Sequence, residues 1–188
     1  MDLTDFQATL SEHLRTGGTS FLTDIPCGSG IIHLANVPHE TWKPGFLSPN
    51  PGRWNLPEQP SKYFADDLTT CMAELGYWPE AKPYGRVVEV WETTKQFQVF
   101  DVTRLPGDLR QYLYEEKDPS RKWDASHVLV NCINGFDWAD SVGGIYAPSA
   151  SGLALNTGGM CLSTNPTFGN VKPITQHTFE EYDNFIQW

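Results

Sequence analysis

Leu3, Phe6, Leu10 and Leu14 recur every three or four residues and are followed by Gly17-Gly18, a pattern that predicts an amphipathic helix with a glycine stop. The period then changes. SGIIHLANV (29–37) is rich in β-branched and apolar residues between Gly30 and Pro38, which predicts a strand with His33 near its middle. Residues 38–61 show no period and hold six prolines, two glycines and two tryptophans, so they predict a long ordered loop.

KYFAD (62–66) predicts a short strand, with Asp66 or Asp67 capping the helix that follows. In that helix Leu68, Cys71, Met72 and Leu75 make one stripe, and Glu74 falls on the stripe's border, where a carboxylate can face a cleft. GRVVEVWETT (85–94) and QFQVFDVT (96–103) predict two strands, and the short break at Thr94-Lys95-Gln96 predicts that they pair as a hairpin. Leu105 to Lys117, entered through Pro106 and Asp108, and residues 124–136, ended by Gly135, predict two further helices. The last third alternates short apolar runs with Gly, Ser, Asn and Pro, as strands joined by turns do, and the closing segment begins as a strand. The sum is a mixed α+β chain expected to form a single domain over 1–188.

Composition narrows the chemistry. At 188 residues the chain can bury a core without disulfides or metals. A net charge of −10, with 13 Lys and Arg spread along the chain, argues against duplex nucleic acid or an anionic membrane as the main partner and leaves a small anion held by one or two arginines. The cysteines at 27, 71, 132 and 161 lack metal or redox spacing and read as free thiols. No apolar stretch is long enough to span a bilayer and the N-terminus has no secretory pattern, so a cytoplasmic protein is expected. Phosphate loops of the Walker or Rossmann type, HExxH, CxxC and GxSxG are all absent.

What remains is GRWN (52–55), Tyr63 in KYFAD, Glu74 after Ala73, and GIYAPSASG (144–152). In this order and spacing they resemble the RES domain family, from about Ile31 to about Thr164. The resemblance implies an ADP-ribosyltransferase-like core, close to the diphtheria-toxin-like group, of two small, mainly antiparallel sheets with flanking helices. It implies consumption of NAD+ as a substrate, with no metal, and the role of a bacterial toxin with a separate antitoxin or immunity partner. Where family members carry an Arg on the first core strand, this chain has His33, and Pro51 replaces a glycine before GRWN.

The residue chemistry agrees. Cleaving the nicotinamide–ribose bond builds positive charge on the ribose, as in glycoside hydrolysis. A carboxylate at Glu74 would stabilise that charge, and Ser149 would aim it. Tyr63 would stack on nicotinamide, while Arg53, on a mobile loop, would grip the pyrophosphate and His33 would help hold the dinucleotide. Taken singly, each has an ordinary alternative: a solvated Glu74, a half-buried Tyr63, a surface ion pair at Arg53, a core His33, a turn at Ser149. Transfer of ADP-ribose to a protein or nucleic acid, and an inactive NAD-binding module, stand as alternatives to a glycohydrolase or phosphorolase. The tryptophans at 42, 54, 78, 91 and 123 read as packing, and the remaining histidines as unrelated to a metal site.

Overall fold

The computed structural model describes residues 1–38, 47, 52–77, 81–115, 123–151 and 158–186. His39, Trp42, Pro51 and Trp78 therefore lie outside the described residues.

Helix α1 spans Leu3–Gly17, with Asp2 accepting the Asp5 N–H as its cap, and buries Phe6, Leu10 and Leu14. Strands β1 (Leu22–Ile25), β2 (Gly30–Pro38) and β3 (Lys62–Ala65) precede α2 (Leu68–Glu74), which Asp67 caps through the Thr70 N–H. Then come β4 (Arg86–Thr93), β5 (Phe97–Asp101), α3 (Gly107–Tyr114) and α4 (Asp124–Asn134). Strands β6 (Val142–Pro148), β7 (Met160–Thr164) and β8 (Val171–Thr178) lead into α5, Phe179–Ile186, the helix that ends the closing segment. Among the described residues no helix is long and apolar enough to cross a membrane.

The strands hydrogen-bond in the order β1-β5-β6-β7-β3-β2-β4-β8, antiparallel except for the parallel β5–β6 pair. The α+β class is as expected, but the strands form one eight-stranded sheet rather than two small ones, and within it two groups of strands can be distinguished. They meet where β2 and β3 share a single register pair, Ile32↔Ala65. The larger group packs against α1, α3 and α4 around Phe6, Leu10, Phe100, Leu109, Leu129 and Ile145. The smaller group carries α2 and α5 over Leu34, Val88, Met72 and Phe179.

The hairpin expected between β4 and β5 does not form. Both edges of β4 are taken, by β2 and by β8, while β5 lies between β1 and β6. The intervening break is a corner between the two groups: Thr94 N–H donates to Asn170 O at 2.8 Å, and its hydroxyl donates to Gly169 O. Sequence adjacency predicted pairing, but strand edges already occupied decided against it. The helix expected from Leu105 to Lys117 is the shorter α3, and Lys117 lies outside the described residues. All four cysteines are free thiols.

Candidate active site

Weak pairing between β2 and β3 opens a cleft of about 380 Å³. His33, Arg53, Tyr63, Glu74 and Ser149 all line it, so the five residues singled out from the sequence share one cavity.

The arginine turn forms one wall, and several hydrogen bonds clamp it. The Tyr63 hydroxyl donates to Asn55 Oδ1 at 2.7 Å and accepts from the Trp54 N–H at 2.8 Å. Asn55 Oδ1 also accepts from Gly52 N–H at 3.0 Å, and its amide nitrogen donates to Leu56 and Gln59 carbonyls. The Gly52 carbonyl accepts from His127 Nε2 at 2.8 Å. Gly52 has no room for a side chain, since a Cβ there would come within 2.9 Å of Tyr63 Cζ. Trp54 drives into the helix-backed core. Burial pushes the Tyr63 hydroxyl up to about 12, so it stays protonated and keeps its donor role.

Arg53 donates to Leu113 O at 3.3 Å and lies over the rings of Trp54 and Tyr114, at 5.9 and 5.6 Å from their centroids. Stacking fixes the guanidinium plane and leaves further N–H groups for a ligand. Tyr114 donates its hydroxyl to Pro148 O at 2.8 Å and thereby ties the arginine wall to the strand end that carries Ser149.

The opposite wall is the C-terminal end of α2. Glu74 is exposed there, and its Oε1 accepts from Ser149 Oγ and from the Ser151 N–H at 3.2 Å. Ser149 is itself buried, with its N–H on Gly159 O at 2.9 Å. One carboxyl oxygen is thus held by two donors, while Oε2 makes no hydrogen bond among the described residues.

His33 sits at the seam. Its Nδ1 faces Tyr63 O at 2.7 Å; a carbonyl only accepts, so Nδ1 carries the proton. This bond replaces a backbone bond that the splayed strands do not make. Burial, reinforced by the nearby Lys62 charge, lowers His33 to about 3, so the ring is neutral. Behind it Lys62 and Glu89, both about 3% exposed, pair at 2.5 Å, with Lys62 Nζ 5.1 Å from the Trp91 ring centroid. Burial lowers the Lys62 pKa while Glu89 opposes that shift.

Sequence reasoning assigned no role to Asn55, His127, Tyr114 or Lys62. The Asn of GRWN was in view, but its partner on another element, Tyr63, lies 8 residues away on β3. Trp123 lines the cleft and is the one non-glycine residue among those described with a positive φ, 74°. Cys71 and Cys161 also line it; burial pushes Cys71 up to about 12 and raises Cys161, so neither thiol is an activated nucleophile.

No curated protein matches the chain. Among solved structures, a chain of the crystal structure of the M. tuberculosis MbcT-MbcA toxin-antitoxin complex shares the fold, with a TM-score of 0.57 and 16% identity over 93% of this chain and 95% of that one. The model of the RES domain family matches residues 34–177, which include every residue of the cleft just described except His33, and the chain belongs to that family.

Proposed function

We propose that the protein is an NAD+-consuming enzyme that cleaves the nicotinamide–ribose bond and passes ADP-ribose to water or phosphate. The observation that carries this reading is the convergence of Arg53, Tyr63, Glu74 and Ser149 on one cleft, with the Glu74 carboxyl aimed by Ser149. The C1′–N bond breaks, nicotinamide leaves as the neutral amide with the bonding pair, and positive charge builds on the ribose. Glu74 Oε2 stabilises that charge, and water or phosphate then adds at C1′, losing its proton to solvent. Arg53 grips the pyrophosphate with the N–H groups its stacking leaves available. Tyr63 offers a ring face to nicotinamide while its hydroxyl holds the turn. His33, as a neutral ring, contributes by fixing the Tyr63 strand and by hydrogen bonding rather than by charge.

Family membership and the likeness to a chain from a toxin–antitoxin complex support a toxin role with a neutralising protein partner. The decisive assay is nicotinamide release from NAD+ by the purified protein beside Glu74→Gln. The expected outcome is release by the parent and a loss of at least about 100-fold in the variant. Label from NAD+ recovered on a macromolecule would move the reading to ADP-ribosyl transfer. Binding without release would leave an NAD-binding module.

A further inference from the structure

A second cavity, of about 790 Å³, lies on the far side of the Arg53 turn from the cleft, and Trp54 belongs to the walls of both. It is framed by the first residues of β5 and β6, the last of β7 and the end of α4, with Phe97 and Ile145 as an apolar floor.

A buried polar side chain on its wall, Ser163, lacks an ordinary partner, and the Asn170 amide lies close by. Asn170 is 5% exposed; its backbone carbonyl accepts from Thr94, but its side-chain amide has no hydrogen bond among the described residues. That amide is seated against Gly143, where a Cβ would come within 2.8 Å of Nδ2. Ser163 is 2% exposed and its Oγ makes no hydrogen bond, although it lies beside the Tyr63 hydroxyl, close enough to ease that group's ionisation. The Tyr63 hydroxyl already donates to Asn55 and accepts from Trp54. Buried polar groups are normally satisfied, and the unsatisfied Ser163 Oγ on a cavity wall marks a place for an occupant that can bond it. The charged residues at the lining are Glu58, Asp140 and Lys95, two anions against one cation, which selects no phosphate.

We propose that this cavity is a second binding site for a neutral ring compound bearing hydroxyl and carbonyl groups, of nucleoside or sugar size, whose occupant acts on the arginine turn through Trp54 and Ser163. Ser163 pairs with Tyr63 across β7 and β3, so a ligand bonded to Ser163 Oγ sits one side chain from the clamp that holds Arg53. An apolar floor with amides above it is the composition that such ligands use. Binding stands independently of the NAD+ reading; only its consequence for turnover rests on that reading.

The test follows backbone amide and indole signals by NMR while adenosine and, separately, N-acetylglucosamine are added to roughly 10 mM, enough to saturate a millimolar site. Saturable shifts at Gly143, Gly144 and Asn170 that extend to Trp54 and Arg53 are expected from one of the two probes, and which one responds identifies a nucleoside or a sugar source. Asn170→Leu removes those shifts. Should that variant not fold, Asn134→Trp, at an exposed position on the rim, blocks the cavity and removes them equally. No shifts from either probe, or shifts unchanged in Asn134→Trp, overturn the proposal and leave a water-filled void. Nicotinamide release by a parent that binds neither probe sinks this inference alone, whereas probe binding by a parent without release sinks the enzymatic reading alone.

Discussion

The two walls of the cleft are built on opposite terms. On the helix-backed group, the Arg53 turn is fixed by Tyr63, Asn55 and His127, and Trp54 anchors it in the core. On the smaller group, Glu74 stands exposed at the last residue of a seven-residue helix, aimed by one serine and one backbone amide. The Arg53 turn is therefore held by several hydrogen bonds, while the Glu74 carboxyl rests on two donors to one oxygen. Preorganisation is worth most where it must not change during reaction. Among the described residues the Tyr63 hydroxyl is bonded on both sides, whereas only one Glu74 oxygen takes a hydrogen bond.

The seam between the walls is where the comparison breaks most readily. Lys62 on β3 and Glu89 on β4 form a buried ion pair that spans it beneath His33. Lys62→Met leaves an uncompensated buried carboxylate and should cost about 3–5 kcal/mol in denaturant unfolding. Lys62→Met combined with Glu89→Leu should recover most of that loss. If Lys62→Met alone unfolds like the parent, the pair does not hold the two groups together.

Next in size is Tyr63→Phe, which keeps the ring and removes the clamp. Asn55 Oδ1 and the Trp54 N–H each lose a partner in a half-buried site, for a cost of about 2 kcal/mol. Because the turn carries Arg53, the loss should appear as a raised KM for NAD+ more than as a lowered kcat. A fall in kcat alone would mean that the hydroxyl serves the reaction rather than the turn.

Much of this contrast was visible in the chain, and the reasons for the exceptions are specific. The α1 stripe was legible because one helix buries one face against one core. Glu74 was legible as a border position because α2 is regular to its end. The clamp was not: Asn55 to Tyr63 is a side-chain contact between a turn and a strand, and His127 reaches Gly52 from 75 residues away, distances over which periodicity carries no information. Nothing in KYFAD marked Lys62 as buried, because its partner Glu89 sits on a strand that is not its sheet neighbour. The β4–β5 hairpin failed for the same reason, since pairing was decided by β8, the last strand in the chain.

His33 gives a pH-dependent handle on the seam. Its folded pKa, about 3, lies below the ordinary 6.5, so the folded state favours the neutral ring. As pH falls below 6.5 the unfolded chain takes up a proton that the folded chain refuses, and stability is lost progressively towards about pH 3. Between about pH 8 and about pH 5 this costs about 2 kcal/mol in the parent. His33→Asn places an amide where Nδ1 donates to Tyr63 O and has nothing to protonate, so its stability should fall less over the same interval by that amount. Parallel pH curves for parent and variant would show that the ring takes up its proton in the fold as readily as in water.

The smallest expected effect comes from the one side chain that serves both walls. The Tyr114 ring lies against Arg53, and its hydroxyl bonds the Pro148 carbonyl, one residue before Ser149. Tyr114→Phe keeps the stacking and deletes only that bond, so the arginine wall should be unaffected and stability should fall by about 1 kcal/mol. What changes is the placement of Ser149 and, through it, of the Glu74 carboxyl. Turnover should therefore fall a few-fold with KM for NAD+ unchanged, the reverse of the pattern expected for Tyr63→Phe. Two tyrosines that differ in which wall their hydroxyl holds would then separate ground-state grip from the aim of the carboxyl. A raised KM in Tyr114→Phe would instead mean that the two walls move as one body.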